Sequence, residues 1–324
     1  MAQASQTAAP STALQQNINT RKPASLWTDA WRRLIKNRGS VIGMMIVLFF
    51  LIIAIFAPFI APHSPQQMFP GESYKGPVWV TGDSRFIFGT DTIGRDVLSR
   101  VIYGARTSLA VGFIPLGVVL LIGMSVGMAA GFFGGRTDNF LMRFTDIVYA
   151  FPDILFFIIM ITALRDTWIG QLLNGFILLF VALALVTWVT VARLMRGQVL
   201  AVKERDYVEA ARSIGSSNGR IMLRHILPNS LAPIIVAAAF IVPSAILAEA
   251  ILGYLGIGIR PTTDPNAPFP TSWGTLLLDG RVALQAQIWI LIPPAVCIAV
   301  IMLAFTFIGD GLRDALDPMM KGRV

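Results

Sequence analysis

The sequence predicts an all-α membrane protein with six transmembrane helices, on three observations. Apolar residues make up 55% of the chain and gather in blocks of twenty or more, only 14% of residues are charged, and the mean hydropathy is +0.68. An ordinary soluble domain carries more charge and spreads its apolar residues periodically, so a two-domain soluble enzyme is excluded. A helix needs about 20 apolar residues to cross about 30 Å of hydrocarbon, because lipid offers its backbone no hydrogen-bond partner. Four blocks meet this without a charge: 41–60, 109–133, 172–192 and 282–309. Two meet it with acidic interruptions, 144–164 with Asp146 and Asp153, and 230–259 with Glu249.

Taken in order, residues 1–20 are rich in Ala, Gln, Ser and Thr and carry no charge. With no period that could bury a core, 1–24 is expected to be a disordered tail. In 25–40, Trp27, Trp31, Leu34 and Ile35 share one helical face beside Arg32, Arg33 and Lys36, with Ser25 available as a cap. That pattern fits an interfacial helix lying flat on the membrane, or a basic flank that only sets topology. The remainder, 41–320, holds the six spans and a long connection at 193–229. Prolines 115, 152, 233, 243, 293 and 294 fall within the spans and are expected to kink them.

Alternating the connections across the bilayer puts 18 of the 26 lysines and arginines on the side holding both termini. The positive-inside bias makes that side, and both termini, cytoplasmic. Because these charges flank spans, the net charge of +8 does not argue for nucleic acid. Cys297 is the single cysteine, so no intrachain disulfide forms. The two histidines, His63 and His225, fall on opposite faces and cannot share a metal, and no metal site is expected. No G-x-x-x-x-G-K-[ST] loop is present to cradle phosphates, so the chain is expected not to hydrolyse ATP.

Glu249 in the fifth span is a candidate gate or pathway residue, or a hydrogen bond to a neighbouring helix. Asp153 is expected either to bond backbone freed by Pro152 or to contact substrate. Asp146 follows Arg143 at the spacing of a helical ion pair. Outside the membrane, 89–106 alternates acids and bases. Its helical part places Arg95, Ser99, Tyr103 and Arg106 near one side, where Arg95, Tyr103 and Arg106 could touch a partner. An equal alternative is a self-paired helix resting on the membrane, with contacts such as Asp96 to Arg100.

The connection 193–229 reads as two short helices with a break. Asp206 supplies charge at a helix start, Gly215 a left-handed stop, and Ser216 or Ser217 a cap for the second helix. Ala210 and Ala211 allow close approach, while Glu209 and Arg212 provide charged handles. Glu209-Ala210-Ala211, Gly215 and Leu227-Pro228 resemble the EAA loop of binding-protein-dependent ABC importer permeases. Phe88-Gly89-Thr90-Asp91, Gly94-Arg95-Asp96, Leu255-Gly256-Ile257-Gly258, Ser272-Trp273-Gly274 and Leu312-Arg313-Asp314-Ala315 are similar to the second, "C"-type permease of dipeptide and oligopeptide importers. The sequence departs from that pattern at His225, where an aliphatic residue is usual, and in a longer external link at 262–271.

The resemblance implies a type I ABC importer permease fold with Glu209, Ala210, Ala211, Arg212 and Gly215 in an ATPase-coupling helix, and Trp273 among the contacts to a binding protein. It implies as partners a second homologous permease, two cytoplasmic ATPases that bind ATP and magnesium, and a periplasmic or lipid-anchored substrate-binding protein. The chain itself would hold no cofactor and be non-catalytic. Short peptides are the expected substrate, with nickel chelates, glutathione or another small solute as alternatives. From outside this family, an ion-gradient-driven secondary transporter would use Glu249 and Asp153 as cation sites.

Overall fold

A computed structural model describes residues 26–260, 262, 264 and 267–317; the expected tail at 1–24 and the Ser25 cap lie outside them. The described residues are helical apart from loops and two isolated bridges. Helix α1, Leu26–Leu34, turns at Asn37 into α2, Arg38–Ile55, whose start is capped by the Asn37 side chain accepting from the Ser40 amide at 3.2 Å. Ala30 and Leu34 of α1 pack on Ala315 near the end of the chain, while Trp31 and Ile35 stay exposed. One flank of α1 is therefore docked and the other free.

Helix α3, Val97–Phe133, runs 37 residues. It starts twelve residues before the apolar block at 109, because Ser99, Arg100, Thr107 and Ser108 are polar yet buried by neighbours. The third span is not one helix. Helix α4, Gly135–Tyr149, and α5, Asp153–Leu164, meet at a 77° bend, where Pro152 occupies the cap position of α5 and cannot continue a helix backward. Helix α6, Phe176–Val202, begins after the left-handed turn Leu173-Asn174-Gly175. Helix α7, Asp206–Ser213, forms the first part of the connection.

Helix α8, Leu227–Tyr254, continues without interruption from Asn218 through a π-helical turn at Met222–Ile226. Helix α9, Trp273–Val282, is capped by Ser272, and α10, Ile292–Leu316, closes the set. The last span therefore starts at 292 and not at 282. Pro293 and Pro294 stand in its first turn, where a missing N–H costs nothing, and do not kink it. Pro115, Pro233 and Pro243 do lie inside helices.

The tightest seam joins α3 to α6. Gly123, Gly127 and Gly131 form a stripe along α3 that lies against Trp188, Ala192 and Arg196 backbone. A methyl group on Gly127 would collide with the Ala192 carbonyl, and one on Gly123 would come within 2.6 Å of Val191 Cβ. Small residues at four-residue spacing let two membrane helices touch backbone to backbone. At the basic end Arg196 holds Asp138 with two bonds of 2.5 and 2.6 Å, fixing α4 to α6. Asp146 pairs with Arg193 at 2.7 Å and not with Arg143, so the bond joins two helices where a local one was expected.

At the opposite end, residues 61–96 fold into a compact cap around His63, Phe69 and the fully buried Phe86. Thr90 Oγ1 accepts from the Lys75 amide and donates to the Glu72 carbonyl. Asp91 is buried and accepts from Arg95 Nε at 2.7 Å, Arg100 Nη1 at 2.6 Å and the Ile93 and Arg95 amides. Arg100 also reaches Asp279 of α9 at 2.7 Å. Arg100 is thus committed to two carboxylates, and Asp96 instead caps α3 by accepting from the Ser99 amide. Burial pushes the Asp91 carboxyl up, but Arg100, Arg95 and the two amides outweigh it and hold it below the usual carboxylate range.

Two outcomes follow for stability. Gly127→Leu is expected to lower thermal stability in detergent by at least about 2 kcal/mol through overpacking, whereas Gly117→Leu, facing open space, should leave it nearly unchanged. Because the folded Asp91 carboxyl titrates below its unfolded value of about 3.9, its stabilisation is complete above that pH and is lost as pH falls through the folded value. Asp91→Asn should mimic the loss at neutral pH, leaving two arginines underpaired at a cost of about 3 kcal/mol. Hydrogen exchange across 68–96 should then rise.

Candidate functional site

Two features at functional depth stand out, the helix α7 at the basic end and a groove along α8. Val208 and Ala211 of α7 are buried against a cluster containing Met195, Val199, Ile221 and Ile226. Glu209 and Ala210 point away from that cluster, and Tyr207, Arg212 and the capping residue Ile214 flank it; all five are exposed, Ile214 at 83%. Of the two alanines expected at a contact surface, Ala210 faces outward and Ala211 is turned into the core. Gly215 adopts φ +80° and ends the helix as its sequence implied.

The ends of α3 and α6 hold α7 in place. Lys203 Nζ donates to the Gly131 carbonyl at 3.1 Å, and the Arg212 guanidinium lies 5.7 Å from the Phe132 ring centre. The Glu209 carboxylate bonds to none of the described residues. A large apolar residue at 83% exposure beside an unpaired acid and a small alanine is the surface chemistry of a docking face. Tyr207 and Ile214 were not among the expected site residues. Their signal was present, since seven-residue spacing puts them on one side of the helix, flanking Ala211 at i−4 and i+3. The stretch Gly215-Ser216-Ser217-Asn218-Gly219 has the spelling of a nucleophile elbow, but Ser217 only precedes a short helical turn and meets no histidine.

A cavity of about 440 Å³ lies between α5, α6 and α8, with Asp153, Phe157, Thr187, Thr190, Phe240 and Ser244 in its wall. A second, of about 430 Å³, shares Ala237 with it and ends at Arg313 and Asp317. Together they follow α8 from Pro233 to Ile251. At 1.5 Å per residue that is a groove about 27 Å long, close to the hydrocarbon thickness.

Of the two acidic candidates, only Asp153 faces this groove. Glu249 is fully buried on another side of α8, where its carboxylate accepts from Ser108 Oγ at 3.1 Å. Ser108 in turn accepts from the Trp273 amide at 3.1 Å. Glu249 therefore ties α8 to α3 and α9, as in the hydrogen-bond alternative. The external candidates do not form one exposed patch. Arg95 belongs to the Asp91 network, Tyr103 and Arg106 are half-buried, and Trp273 is fully enclosed, its indole donating to the Val101 carbonyl at 3.0 Å. An enclosed indole has no surface to offer a partner, so Trp273 is a core residue here.

The arrangement can be set beside known proteins. Residues 123–322 match the family described as binding-protein-dependent transport system inner membrane component. Residues 25–77 match the N-terminal TM domain of oligopeptide transport permease C. The chain is 40% identical to the dipeptide transport system permease protein DppC of Alkalihalophilus pseudofirmus, over 92% of this chain and 91% of that one. It is 38% identical to the oligopeptide transport system permease protein OppC of Escherichia coli K12, over 91% of each. Among solved structures, an inward-facing MetNI methionine ABC transporter aligns with a TM-score of 0.54 at 19% identity, covering 68% of this chain and 96% of that one. That likeness concerns the fold alone, and the described residues hold five long apolar helices that could span a membrane, or six spans when the bent pair α4–α5 is counted as one. With family models and relatives agreeing over most of its length, the chain belongs to the inner-membrane permeases of binding-protein-dependent transport systems.

Proposed function

We propose that this permease is one membrane subunit of an ATP-driven importer that carries short peptides across the cytoplasmic membrane by alternating access. The observation that carries the reading is the outward face of α7, exposed, apolar and acidic, at the end of the closely packed α3–α6 pair. Two ATPases would dock there and at the corresponding face of a second, homologous permease, binding ATP and magnesium themselves. The peptide assignment is supported by the relatives named for dipeptide and oligopeptide transport. The basic end is the cytoplasmic side, on the bias of 18 of 26 lysines and arginines, and a binding protein would deliver cargo at the other.

Movement at α7 has a physical route into the membrane. Val208 and Ala211 share a core with Ile221 and Ile226, and Ile226 closes the π-helical turn that leads directly into α8. A π-turn is a weak point in a helix ladder, and such turns gather at functional positions. Displacing α7 would therefore tilt α8 relative to α6, and these two helices wall the groove. Coupling of this kind requires that the ATPase contact α7 differently in its two states.

Glu209→Lys reverses charge on the docking face without touching the buried face. The expected outcome is membrane insertion at the normal level, with ATPase co-purification and ATP-dependent dipeptide uptake each falling about tenfold or more. Normal coupled uptake by that variant would remove α7 from the coupling role.

A further inference from the structure

Asp153 opens α5 immediately after the 77° bend and stands exposed in the wall of the groove. It shares that wall with Thr187, which lies within the charge-free apolar stretch of α6, six residues before Arg193. Among the described residues Asp153 makes no hydrogen bond or ion pair. An unpaired carboxylate against such a stretch is costly, and it persists where a water-filled path or a ligand meets it.

The hydroxyls in the same wall sharpen the chemistry. Thr187 Oγ1 donates to the Leu183 carbonyl at 2.8 Å, and Ser244 Oγ donates to the Phe240 carbonyl at 2.8 Å. Their protons are spent within their own helices, so they turn lone pairs to the cavity. Thr190 alone keeps a hydroxyl able to donate, and no Lys, Arg or His lines the cavity. The cavity therefore presents one negative charge and mostly acceptors, in a volume of about 440 Å³ that falls within the range of small-ligand sites.

We infer that Asp153 is the recognition point for the positively charged amino group of the cargo, so that a peptide crosses with its α-ammonium held at this carboxylate. An ammonium brings three N–H donors and one positive charge, and charge-assisted hydrogen bonds to a carboxylate are its strongest contacts. The inference rests on the peptide reading above. The same acceptor set would suit an inorganic cation, which the experiment separates.

The test uses the complete importer in proteoliposomes, with ATP and each of two probes, dialanine and N-acetyl-dialanine, at concentrations that saturate the binding protein. Asp153→Asn should lower dialanine uptake about tenfold and leave N-acetyl-dialanine uptake and basal ATP hydrolysis unchanged, the last also showing an assembled complex. Asp153→Glu, which restores the charge, should recover most of the dialanine uptake. Unchanged dialanine uptake in Asp153→Asn, or an equal loss for both probes, would overturn the assignment. So would wild-type uptake that needs sodium and loses that need in Asp153→Asn, because the carboxylate would then serve an inorganic cation. A wild-type complex that takes up neither probe with ATP overturns the peptide reading itself, and so differs from a failure at Asp153 alone.

Discussion

The backbone contact between α3 and α6 is the constraint on which the rest of the molecule hangs. In lipid there is no hydrophobic gain in bringing two apolar helices together, so association depends on close packing and hydrogen bonds. Gly123, Gly127 and Gly131 provide the close packing, each laid against the backbone or Cβ of the facing helix. Every functional feature is tied to one member of this pair. Helix α7 is held by Gly131 and Phe132 at one end of α3, the groove takes α6 as a wall, and the cap 61–96 is fastened to the first turn of α3 through Asp91 and Arg100.

The two ends of the bundle are closed by different electrostatics. At the basic end the pairs Asp138–Arg196 and Asp146–Arg193 are partly exposed and act as staples between helices. Exposed pairs of this kind contribute about 0–1 kcal/mol each, so they set register more than stability. At the opposite end Asp91, Arg95, Arg100 and Asp279 form an enclosed set of two positive and two negative groups, joining the cap, α3 and α9. Such a set balances its own charge and tolerates no single deletion. The cap end is the more rigidly specified of the two.

Much of this was readable from the residues and some was not, for identifiable reasons. Apolar blocks located all six spans, and Gly215 announced its left-handed stop because a β-carbon disfavours that conformation. The span limits failed wherever tertiary burial overrode local polarity. Ser99, Arg100, Thr107 and Ser108 look like loop residues and are buried helix, while 282–291 looks like membrane and belongs to the end of α9 and a turn. Pro152 was read as a kink where it breaks the span by 77°. Ion-pair reasoning at three- and four-residue spacing could not find Asp146–Arg193 or Arg100–Asp279, whose partners are distant in the chain. Glu249 and Asp153 looked alike as acids in apolar runs, and only the rotation of α8 and the bend before α5 separated an anchor from a groove residue.

The length of α3 has a consequence of its own. At 1.5 Å per residue its 37 residues extend about 55 Å, well over the roughly 30 Å of hydrocarbon. The excess lies at its start, in the turns that carry the cap, so the helix stands out of the bilayer like a mast rooted at the basic end. A load placed on the cap is thereby transmitted along one continuous rod to within a residue or two of Lys203 and Arg212, with Pro115 as the joint along the way. The two faces of the membrane are joined in this subunit by a single helix, although they are far apart in space.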